Sequence, residues 1–312
     1  MSGDLFDVAI IGCGPAGLQA AIHACGKKAK VVVFGKPERS SLYKAHVANF
    51  CCFDDVIPGK ALLESGRFQA EKLGARIILQ DIVDTKIEDE QFTLVSENNE
   101  TFLAKTLVLA LGVSRKKLKV KGEKEFLGRG VSYCVDCDAG FYRDAHVVIV
   151  GNESAAVTGA LTLLGFASRV YLVCKELSVS DALHKKLSDS DVTVVQGAWV
   201  KEILGDTGVD KIVLTNGQDL VASGIFIELG AKGAMELAAN LGVAFDAETF
   251  SFIETNKKQE TNIAGLYAAG DITGQPWQIA KAVGEGCIAG LEAAQWAKRD
   301  RKSTRLNSSH YS

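Results

Sequence analysis

Residues 6–24 read FDVAIIGCGPAGLQAAIHA. An apolar run without helical period leads into a glycine-rich turn, and small residues at helical spacing follow. Strand, turn and helix in that order, with glycines at Gly12, Gly14 and Gly17, form the fingerprint of a dinucleotide-binding βαβ unit. Gly12 permits the tight turn, Gly14 lets a pyrophosphate approach the backbone, and Gly17 lets helix and strand pack closely. Pro15 and Ala16 stand at the start of the helix, whose N-terminus offers partial positive charge to a phosphate. VVVFG at 31–35 is predicted as the next parallel strand. The acid that often ends such a strand and binds the ribose is missing, because Gly35 stands there; Glu38 in the following loop is the candidate substitute. The expected class is therefore α/β, with a parallel central sheet.

Composition narrows the function classes. Hydrophobic residues make up 47% and charged residues 23% of 312, the profile of a globular chain with ample core. A net charge of −3 argues against nucleic acid as a partner. No apolar run is long enough to span a bilayer, and residues 1–6 lack a charged-then-apolar leader, so no membrane association is expected. Eight cysteines, scattered except for two pairs, fall below the density of a disulfide-stapled secreted domain. The expectation is a reducing cytoplasm and mostly free thiols. Residues 300–312, DRKSTRLNSSHYS, are polar and aperiodic after a helix expected to end near Ala297; they are expected to be non-native or disordered.

Two segments pair with the fingerprint. TLVLALGVS at 106–114 is a buried-strand pattern ending at Gly112, and NIAGLYAAGDITGQP at 262–276 is a strand followed by Gly270-Asp271. A helix at 278–297 comes next, with Ala280, Gly284, Ala289 and Gly290 as its expected packing residues. Asp271 suits an N-cap of that helix.

Between these segments lies GRGVSYCVDCDAGFYRD at 128–144, with Cys134-x-x-Cys137 followed by Asp138. Two cysteines at that spacing can close a small disulfide ring, and at a turn or helix start the thiolate is stabilised. A carboxyl beside a redox thiol is a candidate general acid. Zinc would need two further ligands, which adjacent Cys51 and Cys52 do not supply in normal spacing, so no metal is expected; an inert buried cysteine pair is the other alternative.

Residues 5–298 resemble the low-molecular-weight thioredoxin reductases, a group of flavoprotein disulfide reductases with two Rossmann-like domains. The resemblance implies FAD as cofactor, with Asp271 accepting from its ribityl chain and Gly270, Trp277, Gln278 and Ile279 around the flavin end of the last helix. Asn49 matches the group's flavin-side asparagine, but Cys51 and Cys52 replace its usual Pro-Gly and are expected to be buried. Cys137 is implied to face the flavin, Cys134 to attack the disulfide of a thioredoxin-like protein substrate, and Asp138 to protonate a leaving thiolate. A homodimer is implied, as are two domains: an FAD-binding domain at 1–115 and 246–299, and an inserted redox-disulfide domain at 116–245. Linkers near Lys117 and Ala247 are the expected hinges.

The second fingerprint is where the chain departs from its group. VVIVGNESAAVTGA at 147–160 keeps Gly151 and Ala156 but places Glu153 at the central glycine. A carboxylate ~4 Å from a phosphate, at an effective dielectric of ~20, costs about 4 kcal/mol, roughly three orders of magnitude in affinity. At 174–180, where the group places an arginine-rich motif for the 2′-phosphate of NADPH, stand Cys174, Lys175, Glu176 and Ser180. NADPH is therefore not the expected donor. This pattern resembles the ferredoxin-dependent flavin thioredoxin reductases, and Trp277 replaces the usual arginine before Gln278. Arg115, Lys116, Lys117, Lys119, Lys121 and Lys124 form either a basic dock for an acidic ferredoxin or a solvated strand. The alternatives are a dithiol oxidase using oxygen, an ordinary NAD(P)H-dependent thioredoxin reductase, and a non-catalytic flavin redox sensor.

Overall fold

The computed structural model describes residues 5–51, 53–112, 117–229, 234–247 and 252–308; for residues 137, 234, 235 and 300–308 only the backbone is described. The chain forms two units. One comprises Met1–Ser96, Thr101–Ser114 and Leu237–Ser312, the other Glu97–Glu100 and Arg115–Glu236. The return crossing at 236/237 lies earlier than the expected 245/246.

In the first unit, β1 (Leu5–Ile11) is buried from Phe6 onward and runs parallel to β2 (Val31–Phe34). Such unbroken apolar runs suit strands covered on both faces. Helix α1 (Pro15–Gly26) connects them. A ribbon of β3 (His46–Val47) and β4 (Ile57–Pro58) precedes α2 (Gly59–Lys72) and β5 (Arg76–Ile78). Strands β6 (Ile82–Glu88) and β7 (Gln91–Ser96) then lead antiparallel into β8 (Thr101–Leu109). The sheet order is β5-β2-β1-β8-β7-β6.

The second unit opens with β9 (Val131–Ser132) and the one-turn helix α3 (Val135–Asp138). Next come β10 (His146–Val150), α4 (Ser154–Leu163), β11 (Arg169–Cys174), α5 (Asp181–Ser188) and β12 (Thr193–Gln196). An antiparallel sheet of β13 (Val200–Gly205), β14 (Val209–Leu214) and β15 (Asp219–Val221) separates β12 from β16 (Gly224–Ile227). The main sheet is all parallel, in the order β12-β11-β10-β16-β9. Helix α6 (Ala234–Asn240) carries the chain back to the first unit, where β17 (Leu266–Ala268) adds to β8 and α7 (Ile279–Ser308) follows. Both units thus have the parallel, Rossmann-like core that the two fingerprints predict. Among the described residues, no helix is long and apolar enough to cross a membrane.

Helix α7 corrects two expectations. Its buried stripe is Ala282, Gly286, Ala289, Gly290, Ala293, Ala294 and Ala297, whereas Ala280 and Gly284 are exposed. The small residues alone did not fix the helical phase; the neighbour does. A Cβ on Gly286 would stand 2.2 Å from Ala16 O, and one on Gly290 2.2 Å from Ala20 O, both backbone atoms of α1. The backbone also stays helical to Ser308, past the expected end near Ala297, because the basic residues there favour helix and neither Gly nor Pro interrupts it. A paired prediction follows. Gly286→Ala should lower stability by about 1–3 kcal/mol through overpacking. Gly284→Ala, whose new methyl meets open space, should raise it by up to about 1 kcal/mol. Urea unfolding midpoints check both signs; equal midpoints would show that α1 and α7 do not pack this closely.

Candidate active site

The turns at the starts of α1 and α4 differ at their first glycine, which has a positive φ at Gly12 and not at Gly151, but each ends in an extended N-cap residue. Gly14 is the N-cap of α1 with φ −88° and ψ −173°. Glu153 is the N-cap of α4 with φ −121° and ψ −173°. Both conformations are extended and open to any residue, so neither N-cap requires glycine for the backbone's sake. The flanking glycine does have an internal reason. Gly12, at φ +121°, would drive a Cβ to 2.2 Å from Ala110 O, and a Cβ on Gly151 would meet Glu228 O at 1.9 Å. Gly17 would likewise clash with Gly12 O at 1.9 Å. Around Gly14, by contrast, a Cβ would find only Ser40 Oγ, at 3.5 Å. The chain leaves an open cradle above Gly14, at a helix N-terminus, that a side chain would fill. That is the fit expected for a dinucleotide pyrophosphate, and FAD is the dinucleotide the resemblance implies.

Other sequence-assigned residues gather around this unit's sheet ends. Asn49 Nδ2 donates to Gln278 Oε1 at 3.0 Å, joining two candidate flavin contacts 229 residues apart. Trp277 beside them is 54% exposed, and Ile279 opens α7. Pro15 and Ala16 form the first turn of α1. Glu38 is exposed on a 3₁₀ turn, Pro37–Arg39, just past β2. Gly112 has φ +71° and open space beside it. Cys51 is exposed, against the expected burial, because it sits in a turn outside the sheet and helices; Cys52 lies outside the described residues. Burial raises the Cys13 thiol to about 12, which leaves it unreactive.

Asp271 is not the N-cap of α7, which begins eight residues later; it lies in its own 3₁₀ turn, Asp271–Thr273. A clamp that the sequence reading missed holds this turn. Glu285 Oε2 accepts from Gly270 N–H at 2.8 Å, from Thr273 Oγ1 at 2.8 Å and from Lys281 Nζ at 3.0 Å. Lys281 Nζ also donates to Gly270 O at 2.9 Å. Its signal in the sequence is an i,i+4 Lys-Glu pair inside an otherwise small, apolar helix start. Burial raises the Asp271 carboxyl above its usual range, with Lys281 pulling it down and Glu285 pushing it up. A raised folded-state value means the native state binds the proton more tightly than the unfolded chain. Without a ligand, Asp271 therefore favours folding as pH falls through the window above its ordinary value, and opposes it at neutral pH. Asp271→Asn should leave the apo-protein at least as stable at pH 7. It should also weaken FAD binding by about 10–100-fold if the carboxylate accepts from the ribityl chain. Melting scans and flavin-fluorescence titration separate the two effects; unchanged FAD affinity would remove the assignment.

In the second unit, Cys134 ends the segment after β9, is 5% exposed and is disulfide-bonded. The Cys137 side chain lies outside the described residues. Asp138 closes α3, and its Oδ2 accepts from Ser132 Oγ at 2.6 Å. Helix α3 can sit low on α4 because Gly159 has no side chain: a Cβ there would stand 3.0 Å from Val135 Cγ2. The segment from Cys134 to Asp138 therefore lies against α4 of the same unit. Asp136, Glu228 and Glu236 line a shallow cavity there together with Val135, Thr158 and Gly159. Glu228, 6% exposed just after β16, has its backbone carbonyl against the Gly151 turn; its only sequence signal is a charge closing the apolar run GIFI.

The residues that follow β11 make contacts within the second unit. Lys175 N–H donates to Asn152 Oδ1 at 3.0 Å, and its ammonium lies 5.4 Å from the Trp199 ring centroid. Ser180 Oγ caps α5 by accepting from Leu183 N–H. Cys174 is fully buried, and burial raises its thiol. Of the basic run, Arg115 and Lys116 lie outside the described residues, and Lys121 pairs with Glu202.

The chain is similar to known proteins over most of its length. The family model described as pyridine nucleotide-disulphide oxidoreductase matches residues 6–286. A thioredoxin reductase of Listeria monocytogenes is 30% identical over 311 residues, covering 96% of each chain. One of Bacillus subtilis is 32% identical over 297 residues, covering 91% of this chain and 92% of its own. The crystal structure of an atypical thioredoxin reductase from Desulfovibrio vulgaris Hildenborough matches with a TM-score of 0.81 at 32% identity, covering 94% of this chain and 98% of that one. A ferredoxin-flavin thioredoxin reductase from Clostridium acetobutylicum matches at 0.65 and 35% identity, covering 93% and 97%. The chain belongs to the pyridine nucleotide-disulphide oxidoreductase family and is a flavoprotein disulfide oxidoreductase of the thioredoxin reductase type.

Proposed function

We propose that this protein reduces the disulfide of a thioredoxin-like protein through Cys134 and Cys137, with electrons that enter from a ferredoxin-type donor and not from NADPH. The observation that carries the donor assignment is the contrast between the two N-cap residues. Where a dinucleotide is to bind, Gly14 keeps the cradle open; at the equivalent position of the second unit an extended N-cap carries Glu153. Glu228 follows β16 beside that turn, and Asn152 Oδ1 and Ser180 Oγ are taken up by the backbone N–H groups of Lys175 and Leu183. The similarity to a ferredoxin-flavin thioredoxin reductase supports the same reading.

FAD, when bound, supplies a carrier that accepts electrons singly and passes them on in pairs. Gly12, Gly14, Pro15, Ala16 and Gly17 hold its pyrophosphate, Glu38 its ribose, and Gly270, Asp271, Gln278 and Ile279 its ribityl-flavin end, beside Asn49, Gly112 and Trp277. The pair Cys134–Cys137 is the redox disulfide. Reduced, it gives two electrons and two protons to one substrate disulfide. The Cys134 thiolate displaces one substrate sulfur, which leaves with a proton from Asp138. Asp138 recovers a proton from Cys137, whose sulfur then closes on Cys134. The second substrate sulfur departs and takes from water the proton that Cys134 had released. Cys134 is 5% exposed, so the loop must be uncovered before it meets a protein disulfide. The chain crossings between the units, near the expected hinge at Lys117 and at 236/237 in place of Ala247, are the places for that movement. The protein works as a cytoplasmic homodimer in this reading.

The test is anaerobic bleaching of the flavin by NADPH, NADH, reduced ferredoxin and a small dithiol in turn, with thioredoxin reduction as the output. Ferredoxin alone should couple to thioredoxin. Bleaching by dithiol with oxygen uptake and no thioredoxin reduction would make the protein a dithiol oxidase instead.

A further inference from the structure

Strand β9 is two residues long, and its second residue carries a hydroxyl into the core. Ser132 is 3% exposed and stands in register with Phe226 of β16 in the parallel sheet. A hydroxyl so placed must be satisfied by protein groups, and Ser132 is satisfied entirely by the redox loop. Its Oγ accepts from Cys134 N–H at 3.0 Å and donates to Asp138 Oδ2 at 2.6 Å, with Cys134 O at 3.3 Å as a second acceptor. Asp138 N–H donates to Cys134 O at 3.2 Å, closing the loop on itself.

We infer that Ser132 is the positioning residue of the redox loop: its hydroxyl, fixed on the sheet, aims the Asp138 carboxyl at the sulfur chemistry of Cys134. An aspartate carboxyl turns freely about its last torsion, and a general acid works only within about 2.6–3.2 Å of the atom it serves. A hydroxyl that donates to the carboxyl at 2.6 Å holds it in one orientation. Here that hydroxyl is itself pinned by the backbone N–H of Cys134, so the backbone of that cysteine and the carboxyl of Asp138 are tied to one atom. The inference rests on the proposed roles of Cys134 and Asp138, and its test is built to tell the two apart.

FAD-loaded protein, reduced anaerobically with dithionite, is mixed with oxidised thioredoxin. The saturating rate of transfer and the half-saturating thioredoxin concentration are then measured for wild type, Ser132→Ala, Ser132→Thr, Asp138→Asn and the double variant Ser132→Ala/Asp138→Asn. General acid–base catalysis contributes about 10²–10⁴-fold, and loss of aim should forfeit part of it. Ser132→Ala is expected to slow the saturating rate about 10–100-fold with half-saturation changed less than about twofold, and Ser132→Thr to recover most of the rate. In the Asp138→Asn background the Ser132→Ala step should cost less than about twofold, because residues that act through one another are not additive. An equal loss from Ser132→Ala in both backgrounds would show a general structural role and overturn the inference. So would a wild-type rate in Ser132→Ala, or a slow Ser132→Thr. Asp138→Asn with full activity would remove the acid itself, and with it the reading on which the inference stands.

Discussion

Replacing Cys134 with serine should lower thioredoxin reduction by on the order of 10³-fold or more, since removing a nucleophile that acts covalently removes the reaction path and not merely a contact. Flavin reduction by a chemical donor should be untouched. The informative part is what remains. With Cys134 gone, Cys137 is left as a free thiol, and a thiolate held against the flavin should give a long-wavelength absorption band. Cys137→Ser should abolish turnover equally but give no such band, because Cys134 is assigned to the substrate. The band in the Cys137 variant and its absence in the Cys134 variant would reverse the two roles. The prediction is sharpened by the surroundings of Cys134. It is 5% exposed, so alkylation in the resting protein should be slow even after reduction, and should accelerate only when the loop is uncovered.

The fold was legible because its signals are local. The strand–glycine–helix pattern at 6–24 specifies a parallel unit within twenty residues, and its repetition at 147–160 specifies a second. Cys134-x-x-Cys137-Asp138 is also a contiguous motif. What the sequence did not show is set by contacts across long separations. Asn49 and Gln278 meet only in the folded unit. The phase of α7 is fixed by Ala16 and Ala20 of α1, so Ala280 and Gly284, which look like packing residues, face outward. Glu285 is an ordinary surface-like acid until the fold brings the Gly270 turn against it. Cys51 has the composition of a buried residue but stands in an exposed turn. Glu153 was readable as a missing glycine. That its backbone needs no glycine, and hence that Gly14 has no internal reason to be one, required the dihedral angles of both turns.

NADPH should bleach the flavin at least about 10²-fold more slowly than in a protein with an open second cradle. The estimate begins from about 4 kcal/mol for a carboxylate ~4 Å from a phosphate at an effective dielectric of ~20. Glu153 is half-buried, so solvent screens part of this and sets the expected factor at the lower end of a range of about 10²–10³. Glu153→Gly combined with Glu176→Arg removes the blocking side chain and returns one cation to the exposed end of β11, so measurable NADPH binding should appear. It should remain weak, because Glu228 keeps a carboxylate at the tip of β16 and Ser180 still serves as the α5 cap in place of a phosphate ligand. Adding Glu228→Ala should tighten binding by a further tenfold or so, a step of about 1.4 kcal/mol. Equilibrium titration of the three proteins with NADPH measures each increment. Rapid bleaching of the unaltered protein by micromolar NADPH would sink the donor assignment. If the triple variant binds no better than wild type, the crevice has lost its shape as well as its charges, and restoring single residues cannot return the site.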